Sequence, residues 1–314
     1  MYPKEYLKRY TELEISDKWI PCEDKIQKID NILISSWIET MMVDRLEEKS
    51  TTIEAFLQET NGDWEQAFFI AFCKSFGQKV NGLPFEQLGK SVSVKQLNKY
   101  HDHLLFLEAI LFGQAGMLEN QPKDEYHTYL QKEFHHLRRK HHLQPIDASM
   151  WKFHRLRPLN FPTVRIAQLA SFLNQNNSLL SNVIDKKTGH DLRDYLSIET
   201  SGYWKNHYQF GKISNEKTKN LGNATIDILI INTIVPFLFI YGTRTGKTYL
   251  KEHAMNLLYE ISPEKNSIID KWNGLGIKVQ SAFDTQALIQ LKNKYCDARK
   301  CLSCRIGMKI ISGN

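Results

Sequence analysis

The chain has 314 residues, of which 42% are hydrophobic and 24% charged, with 16 glycines and 9 prolines. This composition is typical of a globular protein and excludes a disordered, collagen-like or low-complexity chain. The N-terminus shows no apolar signal-peptide region, and five cysteines make a poor disulfide framework. The sequence therefore predicts a cytoplasmic protein with reduced thiols.

The net charge of +6 is confined to one part of the sequence. Residues 126–165 hold eight Lys or Arg and two acids, and bases and acids cancel in the rest of the chain. Six of the eleven histidines also lie in this segment. Such a local excess of positive charge predicts one surface that binds anions rather than a uniformly basic protein.

Apolar residues recur at helical spacing along most of the chain, three or four residues apart, which places them on one face of each predicted helix. The segments with this spacing are 26–41, 97–111, 126–137 and 283–291. Capping boxes are predicted at 93–96 and 281–284. Pro162 predicts the start of a further helix that carries Arg165 and Gln168.

No stretch alternates polar and apolar residues long enough to predict a sheet. The most apolar run, 228–241, has 14 residues and is interrupted by Asn232 and Pro236. A membrane span needs about 20 apolar residues, so this run is predicted as a buried, kinked helix. The sequence predicts an all-α, multi-helix globular array with at most minor irregular or short β elements. It predicts a single helical domain over 1–314, with a weak subdivision near 144–160, and no membrane partner.

Three of the five cysteines are crowded near the C-terminus. Cys296, Cys301 and Cys304 follow a C-x4-C-x2-C pattern. Two residues between thiolates let both sulfurs reach one ion from a turn or a helix start. Sulfur-rich sites favour zinc or an iron–sulfur cluster, so the pattern predicts a metal site.

The fourth ligand would come from elsewhere in the chain. Cys22 is the first choice because it follows a proline in a predicted loop, and His207 and His253 are alternatives. Cys73 lies in an apolar helical stretch and is predicted as a core residue. Four protein ligands would make the metal a structural clamp between the first helices and the last. The alternative is a set of reduced cysteines without metal.

The basic residues of the predicted helix 126–142 lie opposite its apolar stripe, and aromatic residues are interleaved with the bases that follow it. Phosphate backbones and stacked bases favour cationic surfaces of this kind. The predicted nucleic-acid or polyanion contacts are Lys132, His135, Arg138, Arg139, Lys140, His142, Lys152, Arg155 and Arg157. The alternative is a solvated basic face or a contact with a protein partner.

Two other patterns are weaker evidence for a functional site. Residues 242–248 resemble a phosphate-binding loop, but three residues separate the glycines where the motif needs four. Glu108 lies between apolar residues, which predicts a buried acid paired with Arg157 or Arg165. Neither pattern predicts catalytic residues, and whether the protein is an enzyme stays open.

Several phrases occur in an order that matches one family. They occupy residues 19–22, 61–64, 74–77, 80–81, 108–114, 157–170, 203–210, 231–236, 263–266 and 295–307. In this order they resemble a bacterial family of uncharacterised proteins, domain of unknown function 2851, over nearly the whole chain. The Arg-Pro-x-Asn-Phe-Pro phrase that begins at Arg157 and the terminal cysteine phrase make the resemblance specific.

The resemblance assigns no activity. It implies a cysteine at position 22 beside the terminal three, which favours a four-cysteine site. It also implies a further N-terminal, β-rich segment with acidic and histidine residues, which nothing in this chain matches. The alternatives that follow are the helical portion of a nuclease-like enzyme, whose active site lies in that segment, and a scaffold for a protein partner.

Overall fold

The structure, a computed structural model, describes residues 4–313. Within them the predicted helical class is confirmed, because the strands form a single antiparallel hairpin of β1 His207–Gln209 and β2 Lys212–Ile213. The helices are α1 Lys4–Glu14, α2 Asn31–Glu59, α3 Trp64–Phe76, α4 Gln78–Ser91, α5 Val94–Asn98, α6 Leu104–Gln114, α7 Glu125–His141, α8 Pro162–Gln175, α9 Leu179–Asp185, α10 Gly189–Tyr195, α11 Gly202–Lys205, α12 Asn223–Leu229, α13 Val235–Thr245, α14 Thr248–Tyr259, α15 Ser267–Gly274, α16 Ala282–Gln290 and α17 Arg305–Ser312. Short 3-10 segments cover Ile26–Lys28, Ala148–Met150, Pro158–Asn160 and Cys301–Ser303, and π-helical turns cover Ile230–Ile234 and Leu291–Cys296.

The chain divides into two compact units. Unit 1 consists of Met1–Thr51 and Phe239–Asn314, and unit 2 of Thr52–Leu238. Helices α1 and α14–α17 belong to unit 1, whereas α3–α12 and the hairpin belong to unit 2. The points of division lie within α2 and α13, and the segment 144–160 lies wholly within unit 2. The prediction of a single domain stays a prediction.

The core of unit 2 includes the aromatic side chains of α3. Asp63 begins this helix by accepting a hydrogen bond from the backbone N–H of Gln66 at 3.1 Å. The fully buried ring of Phe72 packs against Phe172 of α8, with ring centroids 4.9 Å apart. Cys73 is also fully buried, which confirms it as a core residue. Burial of each such aromatic side chain contributes roughly 1.5–3 kcal/mol.

Helix α7 packs against α6 at a glycine. A Cβ atom at Gly113 would lie 2.2 Å from the ring of Phe134, which belongs to the predicted apolar stripe of α7. Only glycine therefore lets the two helices approach this closely. At the start of α7, the side chain of Asp124 accepts a hydrogen bond from the backbone N–H of His127 at 2.7 Å. At its end, His142 adopts the left-handed conformation with a φ of 52°.

We expect Gly113→Ala to lower the free energy of unfolding by roughly 1–3 kcal/mol, because the ring of Phe134 must move out of a packed position. Gly274→Ala is the matched control, since a Cβ there meets no described atom within 4 Å. It should leave the stability unchanged or slightly raised. Denaturant unfolding of both variants measures the difference, and equal effects would contradict the close helix approach.

Three local predictions differ from the structure. The predicted helix 26–41 is broken, because Ile26–Lys28 is a 3-10 segment, Ile29 is extended and α2 begins at Asn31. Residues 97–111 were predicted as one helix, but α5 ends at Asn98 and α6 begins at Leu104. Tyr100 lies in the turn between them, where its hydroxyl is 2.6 Å from Nε2 of His141 in α7. Periodicity identified the buried residues but not this break. Ser93 makes no side-chain cap, whereas the capping box at 281–284 is confirmed.

The apolar run 228–241 is helical, as predicted. It lies within a continuous helix of 23 residues, Asn223–Thr245, which has its π-helical turn just before Pro236. Among the described residues this is the one helix long and apolar enough to cross a membrane, by length and composition only. Because 67% of its most apolar stretch is buried inside the protein, the helix also has the burial that is typical of a core helix. The predictions of a cytoplasmic protein and of no membrane partner stay predictions.

Candidate functional site

The four predicted ligand cysteines lie near one another in unit 1. Cys22, Cys301 and Cys304 are buried, Cys296 is half-buried, and all are free thiols. Burial is the main cause that raises the pKa of Cys22, to about 12, and Cys304 and Cys301 raise it further. Burial also raises the pKa of Cys296, and each of the other three cysteines adds to the effect. Because Cys296 is affected by each of the other three thiols, the four sulfurs share one neighbourhood.

Cys304 is the N-cap of α17. Burial raises the pKa of its thiol, and the backbone N–H groups of Gly307 and Ile306, which donate to the sulfur, partly offset this rise. A Cβ atom at Gly307 would lie 2.3 Å from the carbonyl oxygen of Cys301. Glycine thus permits the tight turn that carries both cysteines, and the start of α17 favours negative charge on the Cys304 sulfur.

Donors and cations lie around the four thiols. Nε1 of Trp37 is buried without an acceptor of ordinary geometry among the described residues, and it lies near enough to Cys304 to lower the pKa of that thiol. Lys292 lowers the pKa of Cys296, and Arg299 lowers that of Cys301. These groups favour the thiolate form, which is the form that binds metals.

Within residues 4–313, no group of three or more His, Cys, Asp or Glu has an arrangement that could hold a metal ion. The four thiols lie near one another but are not arranged as the ligands of a metal ion would be. The metal site therefore stays a prediction. His207, an alternative fourth ligand, stacks on Tyr203 with ring centroids 3.9 Å apart. Its Nδ1 lies 2.9 Å from the Tyr203 carbonyl oxygen.

The predicted basic surface lies on α7 and the segment that follows it, in unit 2. Eight of the nine predicted contacts are exposed, and the exception is the half-buried Arg138, which forms an ion pair with Glu119 at 3.2 Å. Nζ of Lys140 lies 5.5 Å from the ring centroid of Tyr100. Six of these lysines and arginines form no ion pair with any described residue: Lys132, Arg139, Lys140, Lys152, Arg155 and Arg157. The basic surface is therefore only slightly neutralised by neighbouring acids.

The segment after α7 is anchored to the core. Nε1 of Trp151 donates to the carbonyl oxygen of Ala115 at 2.8 Å, and its ring packs edge-on against Phe85. The side-chain amide of Asn81 pairs with both the backbone N–H and the carbonyl of Lys152, at 2.9 Å each. The neighbouring cations therefore extend from a fixed backbone, which lowers the entropy cost of binding.

Glu108 is fully buried, as predicted, but its predicted arginine partner is wrong. Its Oε1 accepts hydrogen bonds from Oγ of Ser201 at 3.0 Å and Nε1 of Trp204 at 3.1 Å. Its Oε2 accepts one from the hydroxyl of Tyr126. Burial raises the pKa of Glu108 to about 7, although these three hydrogen bonds oppose the rise. Neutral donors, rather than a cation, hold this acid.

Arg165 is buried near the start of α8, and its partners are also neutral. Its Nη1 donates to Oε1 of Gln168 at 3.0 Å. Its Nη2 donates to Oδ1 of Asn160 at 2.7 Å and to Oγ1 of Thr225 at 3.2 Å. Burial lowers the pKa of this guanidinium to about 10. The sequence predicts Glu108 as the partner of Arg165, whereas Asn160 and Gln168, which lie within five residues of it, are the partners in the structure.

These features define a multi-helical protein with a gathered cysteine cluster and a basic surface. The chain belongs to the family described as protein of unknown function, DUF2851, whose family model matches residues 1–267. The resemblance drawn from the sequence phrases is thereby confirmed, although the match ends before the three terminal cysteines. Searches of curated proteins and of solved structures found no match.

Proposed function

We propose that this protein binds nucleic acid through the basic surface. The observation that carries the proposal is a set of six exposed cations that form no ion pair with any described residue. Lysines and arginines that neutralise phosphates release the counterions condensed on the nucleic acid, and this release favours binding. Because the segment after α7 is anchored, its cations need little ordering when they bind.

An exposed aromatic residue accompanies these cations. The side chain of Tyr129 is 41% exposed and precedes Lys132 by three residues, so the two lie on the same side of α7. A base that stacks on Tyr129 would bring its phosphate towards Lys132. Stacking on aromatic rings beside cations is typical of proteins that bind single strands, so single-stranded nucleic acid is the expected ligand.

We expect the affinity for a fluorescent single-stranded oligonucleotide to fall steeply as salt rises. For single strands the logarithmic salt slope is about 0.7 per phosphate neutralised. The triple variant Lys132→Ala/Arg139→Ala/Arg155→Ala should therefore lower the slope by about 2 and weaken binding at every salt concentration. Fluorescence anisotropy across a salt series measures both quantities.

The matched control removes equal charge from exposed lysines elsewhere, as Lys187→Ala/Lys265→Ala/Lys278→Ala. These lysines form no ion pair with any described residue, so the control should retain the wild-type slope. An equal loss in both variants, or no salt-sensitive binding by the wild type, would refute the basic surface as the binding site. Recovery of intact oligonucleotide after incubation with magnesium would separate binding from the nuclease-like alternative.

We also propose that the four cysteines bind one zinc ion that stabilises unit 1. Neighbouring cysteines add to the raised pKa values of Cys22, Cys296 and Cys301, so several thiolates together are unfavourable unless a cation neutralises them, and Lys292 and Arg299 do so only in part. Four sulfurs are a donor set that suits tetrahedral zinc. An iron–sulfur cluster uses the same donors, and iron content and visible absorbance distinguish the two.

Such an ion would join segments that are distant in the sequence. Cys22 lies in the turn before Ile26–Lys28, and the other three cysteines lie between α16 and α17. Weak polar contacts already link the two ends of unit 1. Nη1 of Arg299 donates to the carbonyl oxygen of Leu13, and Nη1 of Arg9 to that of Ile311, both at 3.2 Å. The metal would add a much stronger link between the same segments.

A further inference from the structure

Unit 1 contains a cavity that neither of the proposed sites uses. It has a volume of about 720 Å³ and lies between α1, the end of the 3-10 segment Ile26–Lys28 and the end of α17. Every described residue that lines it belongs to unit 1, so it shares no residue with the basic surface. Sites for small molecules typically have volumes of about 300–1,000 Å³. The cavity is therefore large enough for an organic ligand.

Positive charge dominates the lining of this cavity. Its net charge is +3, from the cations Lys8, Arg9, Lys25, Lys28 and Lys309 and the carboxylates Glu5 and Glu12. Glu12 forms an ion pair with Lys25 at 2.7 Å, whereas Lys8, Lys28 and Lys309 form no ion pair with any described residue. Cations that line a concave site concentrate the positive field there and attract anions.

The guanidinium of Arg9 is held in place at the edge of the cavity. Its Nη1 donates to the carbonyl oxygen of Ile311 at the end of α17, at 3.2 Å. Gly313 leaves room for this contact, because a Cβ atom there would overlap Nη1 of Arg9. The carboxylate of Glu5 lies 3.7 Å from Nη2, which is beyond hydrogen-bond distance. Arg9 therefore keeps N–H groups that can donate to an anion from a fixed position.

Apolar side chains complete the lining. Ile310 is buried and Ile29 is half-buried, and both line the cavity. A site with few charges and a large apolar area would suit an uncharged ligand, and a site with charges alone would suit an inorganic ion. Several cations beside two isoleucines suit a ligand that has both a multiply charged anionic part and an organic part.

We propose that this cavity binds a nucleotide through its diphosphate or triphosphate chain. Such a chain places several negative charges close together, which matches the net charge of the lining. Lysines bind phosphates as point charges, and an arginine donates two parallel hydrogen bonds to one phosphate. The inference does not rest on the proposed nucleic-acid binding, because the cavity and the basic surface have no residue in common.

Binding of ATP that carries a fluorescent label on its ribose, measured by anisotropy with the full chain, tests the inference. We expect saturable binding that unlabelled ATP reverses. AMP should compete about tenfold more weakly or worse, because a single phosphate leaves most of the cations without a partner. Equal competition by AMP and ATP would overturn a site for the phosphate chain.

The double variant Lys28→Ala/Lys309→Ala removes two of the unpaired lysines and should weaken ATP binding by about tenfold or more. The matched control, Lys265→Ala/Lys278→Ala, removes two exposed lysines of unit 1 that lie outside the cavity and should bind as the wild type does. Arg9→Lys keeps the charge but loses the planar fork, so it should also weaken binding. Equal affinities in the two double variants, or no saturable binding by the wild type, overturns the inference.

The oligonucleotide assay separates this site from the proposed function. The variant Lys132→Ala/Arg139→Ala/Arg155→Ala should bind labelled ATP as the wild type does. ATP binding without oligonucleotide binding would refute the proposed function and support the nucleotide site, and oligonucleotide binding without ATP binding would do the opposite. Displacement of ATP by the oligonucleotide, together with loss of oligonucleotide binding in Lys28→Ala/Lys309→Ala, would make the cavity a nucleic-acid site and overturn the inference of a nucleotide site.

Discussion

Protein purified without chelator is expected to contain one zinc ion per chain, and removal of that ion is expected to lower the midpoint of thermal unfolding strongly. Zinc contributes on the order of 10 kcal/mol to the folding of small zinc domains. Unit 1 has an apolar core of its own, so a part of that value, several kcal/mol, is the expected loss. Metal analysis and thermal scans with and without chelator measure stoichiometry and stability on the same samples.

Two cysteine substitutions make the test specific. Cys304→Ser removes a predicted ligand and should reduce both the zinc content and the midpoint. Cys73→Ala truncates a fully buried side chain outside the cluster, so it should lower the midpoint but keep one zinc ion. Full zinc content in Cys304→Ser, or no metal in the wild type, would refute the zinc proposal. Anaerobically purified protein that is brown and contains iron and sulfide would indicate an iron–sulfur cluster instead.

Glu108→Gln is expected to stabilise the protein above pH 7 by about 3 kcal/mol. Burial raises the pKa of Glu108 from its ordinary value of 4.5 to about 7 in the folded protein. The unfolded chain therefore ionises first as the pH rises. The wild type keeps its full stability below about pH 4.5, loses stability up to about pH 7, and stays at the lower value above it. A glutamine does not ionise, so this loss should disappear.

The surroundings of Glu108 suit an amide. The oxygen of a glutamine would accept from Ser201 and Trp204, as Oε1 does now, and its NH2 group would donate to the hydroxyl oxygen of Tyr126. Denaturant unfolding of both proteins between pH 4 and pH 8 measures the effect. Glu252→Gln is the matched control at an exposed position of α14 and should follow the wild-type profile. Identical profiles for Glu108→Gln and the wild type would contradict burial as the cause.

The parts of the structure that were predictable depend on local spacing. Apolar residues three and four apart predicted α7, and Pro162 marks the start of α8, because helix geometry relates only near neighbours. Cys22, which follows a proline in a predicted loop, is predicted beside the terminal cysteines although it is distant in the sequence, and the family resemblance implies the same cysteine. The break between α5 and α6 was not predictable from spacing, because the apolar residues keep their helical spacing across it, and the contact of Tyr100 with His141 comes from another helix.

By itself the sequence determined the helical class, the family, the local excess of positive charge and the cysteine spacing. Only the tertiary structure decided which buried polar groups meet. Glu108 is satisfied by Ser201 and Trp204, which are 93 and 96 residues away, and Arg165 reaches Thr225 across 60 residues. Buried polar groups require partners, but packing brings those partners together from distant segments. Spacing along the chain therefore shows which residues become buried, whereas the tertiary fold decides which partners form hydrogen bonds with the buried polar groups.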